Sequence, residues 1–82
     1  MNADAGFDVT FREVLEDVLG WGLDLREEDS PATIEAWDSL AQIRLVHALE
    51  TRFDVRLPDA ALLEEHTVAS LRDMVRERAA VA

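Results

Sequence analysis

Apolar residues recur at intervals of three and four in three separate stretches of this chain, and nowhere is there a sustained alternation. A chain patterned in this way buries its apolar side chains as amphipathic helices packed on one another. In the first stretch Phe11, Val14, Leu15, Val18 and Leu19 share a face. Thr10-Phe11-Arg12-Glu13 has the form of a capping box, Val9 and Val14 stand where a hydrophobic staple would close the first turn, and Gly20 with Gly22 stops the pattern. A first helix is therefore expected over roughly Phe11 to Leu19. In the second stretch Asp38 is a good N-cap, and Ile43, Val46, Ala48, Leu49 and Phe53 supply a buried stripe among polar Gln42, Arg44, Glu50 and Arg52, which predicts a helix from Ser39 to Phe53. After an extended link, Val55-Arg56-Leu57, the pair Pro58-Asp59 starts a short helix to about Glu64. In the last stretch Thr67 caps a helix whose Val68, Leu71, Met74 and Val75 face inward, while Arg72, Arg76 and Arg78 complement the negative end of its dipole. Ala79 to Ala82 are expected to fray.

Residues 20–37 show no sustained period, yet Trp21, Leu23, Leu25, Ile34 and Trp37 are too much apolar surface for a free linker. This long loop is expected to pack over the helices it joins, with Glu27-Glu28-Asp29 as solvated surface. The sum is an all-α fold, a small four-helix bundle of three longer helices and one short one. It reads as a single domain over residues 1–82 with a folded core of about 8–78.

A chain of 82 residues buries a modest core and offers little depth for an enclosed catalytic cleft. No apolar run approaches the roughly 20 residues that cross a bilayer, and Met1 to Gly6 are acidic where a signal peptide is basic, so a cytoplasmic location is expected. The formal charge of -10 repels nucleic acid and anionic lipid and attracts basic protein surfaces, although acidity also serves solubility alone. All eight basic residues are arginine, which reads as GC-rich coding bias. There is no cysteine, so any thiol chemistry must be imported. His47 and His66 fall on different segments without ligand spacing, and Ser39 has no histidine nearby. No metal site, no catalytic residue and no enzymatic activity are therefore expected.

One segment stands apart, Asp38-Ser39-Leu40, at the junction of the packed loop and the second helix. As a bare tripeptide it is an ordinary helix opening. Physically it also suits a phosphodiester, because a helix N-terminus presents unpaired N–H groups and the positive end of the dipole to a phosphate on the Ser39 hydroxyl. Leu40 follows on the outward side of the turn, where an exposed apolar residue serves as an anchor for a docking partner.

The stretch from Trp37 through Asp38-Ser39-Leu40 to Glu50 resembles the acyl carrier protein family, with its Asp-Ser-Leu serine followed by the second helix. Phe53, Val55-Arg56-Leu57, Pro58-Asp59 and Thr67-Val68 follow in that family's order and spacing, and the likeness covers roughly residues 8–78. The resemblance implies that Ser39 receives a 4'-phosphopantetheine arm from coenzyme A through a magnesium-dependent phosphopantetheinyl transferase, with Asp38 capping the helix beside it. It implies a docking face on the second helix, here Leu40, Arg44, His47, Glu50 and Thr51, and a place for hydrophobic cargo near Ile43, Val46, Leu62 and Val68. Arg44, His47 and Thr51 interrupt a face that fatty-acid carriers keep acidic, and Ala36-Trp37 stands where peptidyl carriers have a glycine-rich approach. The expected function is a discrete, monomeric acyl carrier of a bacterial polyketide-type or other specialised pathway, served in trans by an acyltransferase, ketosynthase or ligase. An aminoacyl or peptidyl carrier of a nonribosomal or cell-wall-modifying system shares these features. In a third reading the chain is an unmodified helical interaction module.

Overall fold

The computed structural model describes residues 3–81 and contains four helices, α1 Ala3–Leu19, α2 Ser39–Phe53, α3 Ala60–Leu63 and α4 Val68–Val81. Among the described residues there is no strand, and no helix is long and apolar enough to cross a membrane. The core is assembled from one face of each long helix: Phe11, Val14, Leu15 and Leu19 of α1, Leu45, Val46 and Leu49 of α2, and Val68, Leu71 and Val75 of α4. Ala41 at the start of α2, Ala61 of α3, Leu57 of the link, and Leu25 and Trp37 of the loop complete it.

The second helix keeps its expected bounds because both ends are fixed locally. Asp38 is extended and its Oδ1 accepts the Ala41 N–H at 2.8 Å. At the other end Asp54 adopts the left-handed conformation, φ 54°, which ends the helix. Aspartate tolerates that conformation poorly compared with glycine, which has no Cβ to clash with the backbone. Asp54→Gly is expected to be neutral to stabilising, by up to about 1 kcal/mol, and Asp54→Val to be destabilising, as read from urea denaturation midpoints.

The first helix starts eight residues before its expected position, at Ala3 rather than Phe11, so the Thr10–Glu13 capping box does not open it. Val9 is 60% exposed and forms no staple, and Glu13 pairs instead with Arg52 of α2 at 3.1 Å. Tertiary contacts carry the extra turns. Phe7 stacks on Phe11, packs against Phe53 of α2 with ring centroids 5.0 Å apart, and lies under the Arg76 guanidinium of α4 at 4.9 Å. Asp8 also pairs with Arg76 at 3.0 Å. The last helix likewise continues past Arg78 to Val81, as alanine's high helix propensity permits; Ala82 lies outside the described residues.

The loop is more structural than its sequence implied. Gly20 and Gly22 take positive φ and turn the chain out of α1, leaving Trp21 69% exposed rather than packed, whereas Leu25 and Trp37 are buried. The acidic cluster is not merely solvated. The Glu27 and Asp29 carbonyls accept the Ala69 and Val68 N–H groups at 3.0 and 2.9 Å and so cap α4 together with Thr67, whose Oγ1 accepts the Ser70 N–H at 3.1 Å. Glu27 also holds the Arg72 guanidinium in an ion pair; its hydrogen bond raises the Arg72 pKa above the ordinary arginine value, against the opposing effect of burial. Arg12 donates to the Leu25 carbonyl at 3.1 Å. Together these bonds clamp the loop across α1 and α4 and deliver its end, Trp37-Asp38, to the start of α2.

Candidate functional site

Ser39 is the first residue of α2 and is exposed. The cap is made by its neighbour: the Asp38 carboxylate takes the Ala41 N–H, and the Asp38 carbonyl takes that of Gln42 at 2.9 Å. The Ser39 hydroxyl therefore has no structural duty, and among the described residues no protein hydrogen bond engages it. No base stands ready to activate it either. His66 is committed elsewhere, with Nε2–H donating to the Ala60 carbonyl at 2.7 Å and Nδ1 lying 2.9 Å from the Ser70 hydroxyl, while His47 lies exposed two turns along α2. Among the described residues no cluster of three or more His, Asp or Glu could hold a metal ion. The arrangement suits a serine that is modified rather than one that attacks a substrate bound by its own protein.

Beside Ser39 runs a groove of about 420 Å³, lined by Pro31, Trp37 and Asp38 from the loop, Ser39, Gln42 and Ile43 from α2, and Leu62 to Glu65 from α3 and its end. Of its lining residues Ile43 is 56% and Leu63 82% exposed, and Leu40, the neighbour of Ser39 in the chain, is 55% exposed. Large apolar side chains exposed together around one serine are what a docking surface needs and what solubility alone disfavours. A second groove of about 410 Å³ lies on the far side of Leu62 and includes Val46, His47, Glu50, Thr51 and Arg56 in its lining.

These grooves sort the residues singled out from the sequence. Leu40, Arg44, His47 and Thr51 are all exposed on α2. Glu50 is half-buried instead, and its carboxylate accepts the Leu57 N–H at 2.8 Å, a bond that folds the link back onto α2. Ile43, expected in the buried stripe, faces the Ser39 groove, because the buried positions are 41, 42, 45, 46 and 49 and position 43 falls outside that arc. Leu62 lines both grooves and Val46 lines the second. Val68 lines neither; it is 3% exposed and borders a recess shared with Phe11, Leu15 and Arg72.

Gln42, which the sequence groups with the polar residues set among the buried stripe, is itself buried, at 8% exposed. Its Oε1 accepts the Trp37 indole N–H at 2.6 Å and its Nε2 donates to the Ala61 carbonyl at 2.6 Å, joining loop, α2 and α3 behind Ser39. The signal was present in the sequence: position 42 shares a face with Leu45, Val46 and Leu49, where a polar side chain must find buried partners.

The features present fit a covalently attached phosphate-linked arm. Ser39 offers an unengaged, exposed hydroxyl, the start of α2 offers the positive end of a helix dipole, and the groove provides a surface alongside for an extended chain. The profile of the family described as "Phosphopantetheine attachment site" matches residues 9–75. No curated protein and no solved structure gives a significant match.

Proposed function

Because the chain belongs to the phosphopantetheine attachment family, whose members are carrier domains bearing covalent 4'-phosphopantetheine, we propose that Ser39 takes the arm and that the protein is an acyl carrier of a polyketide-type or other specialised pathway. The observation that carries this reading is the exposed, unengaged Ser39 hydroxyl at the capped start of α2, set among exposed apolar side chains beside a groove. The arm supplies the thiol that the cysteine-free chain lacks, and with it the capacity to hold an acyl group as a thioester. The protein's own contribution is to fix the attachment point, present it beyond the bundle, and offer partner enzymes a surface to read. Leu40, Arg44, His47 and Thr51 are that surface in this reading, and Glu50 shapes it from below. Carrier domains work with a phosphopantetheinyl transferase and with biosynthetic enzymes; here the latter are an acyltransferase, ketosynthase or ligase acting in trans on a monomeric, cytoplasmic carrier.

The test is intact-protein mass spectrometry after incubation with coenzyme A, magnesium and a broad-specificity transferase, followed by mapping of the modified peptide. A gain of one phosphopantetheinyl unit on the peptide bearing Ser39 is expected. The loaded protein is then offered to acyltransferases and to amino-acid adenylating enzymes. Charging by acyl donors is the expected outcome, and charging by amino acids alone would replace the acyl reading with an aminoacyl one. No mass gain on a folded sample, or a gain on another residue, overturns the assignment of Ser39.

A further inference from the structure

The Trp37–Gln42–Ala61 relay has a consequence for the cargo. The α3 helix is a single turn of four residues, too short to hold itself, and its N-cap residue Asp59 makes no side-chain cap bond. Two side chains from other elements fasten it: Gln42 of α2 donates to the Ala61 carbonyl, and His66 donates to the Ala60 carbonyl. Behind this seam lies a close-packed core in which Leu45, Leu49, Ala61 and Leu71 have no exposed surface. An acyl chain entering between α2 and α3 would have to part Gln42 from Ala61. It would leave a buried amide and a buried carbonyl unpaired, and a hydrocarbon offers neither a replacement hydrogen bond.

Resting on the carrier reading above, we propose that Gln42 is a positioning residue that latches α3 to α2 and to the loop before Ser39, holding the seam shut so that cargo stays in the surface groove. The latch acts against long apolar chains, which gain most from entering a core, and is indifferent to short or polar acyl groups, which do not need to enter. The cargo class it points to is therefore a short or polar acyl group, held where partner enzymes meet it without first extracting it.

The experiment has two arms. In the unloaded protein, Gln42→Leu is expected to speed amide exchange at Leu62, Leu63 and Glu64, whose N–H groups close the α3 turn, by at least about tenfold while leaving Leu45 to Leu49 of α2 unchanged. Trp37→Phe, which spares the bond to Ala61, is expected to keep α3 exchange within about twofold of wild type. Equal acceleration throughout the Gln42→Leu protein, or none at α3, overturns the latch. In the second arm the transferase loads acetyl- or octanoyl-phosphopantetheine from the corresponding coenzyme A thioesters. The wild-type methyl resonances of Leu45, Leu49 and Leu71 are expected to be identical with either cargo, and to shift with octanoyl only in Gln42→Leu. Octanoyl-dependent shifts in the wild type overturn the proposal, and that comparison decides even if the variant is too unstable to study. Failure of Ser39 to accept any arm defeats the carrier reading instead, while the exchange measurements still decide the latch.

Discussion

Ser39→Ala is expected to take up no phosphopantetheine at all and to remain as folded as the wild type. The two halves of this expectation rest on different atoms. Attachment needs the hydroxyl, and nothing replaces it: the other serines have duties in the fold, Ser30 bonding its own loop through the Ala32 N–H and Ser70 meeting His66. Stability does not need the hydroxyl, because the helix is capped by Asp38 and not by Ser39. Alanine is also the better helix former at an exposed first-turn position, so the change in stability should stay within about 1 kcal/mol. The control is Asp38→Ala, which removes the cap and is expected to lower the denaturation midpoint by an amount corresponding to about 1 kcal/mol. Intact mass spectrometry reads the loading and circular dichroism the fold. Modification of the Ser39→Ala protein would remove Ser39 from the site, and a large loss of helicity would mean that the hydroxyl has a structural role not seen in its surroundings.

Much of this arrangement was legible because it is governed locally. The bounds of α2 followed from Asp38 and from the end of the apolar stripe at Phe53, and both ends are made within a few residues of themselves. The Thr67 cap of α4 was readable for the same reason. What sequence periodicity missed depends on partners far along the chain. The start of α1 is set by Phe7 meeting Phe53 and Arg76, contacts that outweigh a capping box whose Glu13 finds Arg52 instead. The loop carbonyls that cap α4 carry no sequence signature, since any residue has a carbonyl.

Around the proposed attachment serine, the residues that hold it in place were not legible. Asp38-Ser39-Leu40 is visible as a string. The sorting of Gln42 inward and Ile43 outward needed the α2 stripe to be placed one residue differently, and the function of Glu50 lies in a bond to Leu57 seven residues away. The family resemblance places Val68 with the cargo residues, whereas its position at the start of α4 under the Glu27–Asp29 clamp puts it in the core. Ser39 is thus exposed on a platform held by the buried Trp37–Gln42–Ala61 bonds, and the platform is assembled from residues that carry no distinctive signal in the sequence.

That platform predicts the largest loss of stability in the molecule. Trp37 is the largest side chain with essentially no exposure, 1%, and it stands two residues before Ser39. Trp37→Ala deletes a buried indole, a change that costs about 3–5 kcal/mol through lost burial and residual cavity. It also strips the Gln42 Oε1 of its donor, adding roughly 1–3 kcal/mol unless water replaces the indole. A domain of this length has roughly 4–12 kcal/mol of stability in all, so the variant is expected to be largely unfolded or to melt near room temperature. Trp21→Ala is the matched comparison, since Trp21 is 69% exposed and its loss should change stability by no more than about 0.5 kcal/mol. The same pair separates the two fluorophores: Trp21→Ala leaves only Trp37, whose emission should be that of an indole in an apolar setting and should shift to the red on unfolding. If Trp37→Ala costs less than about 1 kcal/mol in urea titrations, the loop is not part of the core, and the rigid presentation of Ser39 loses its physical basis.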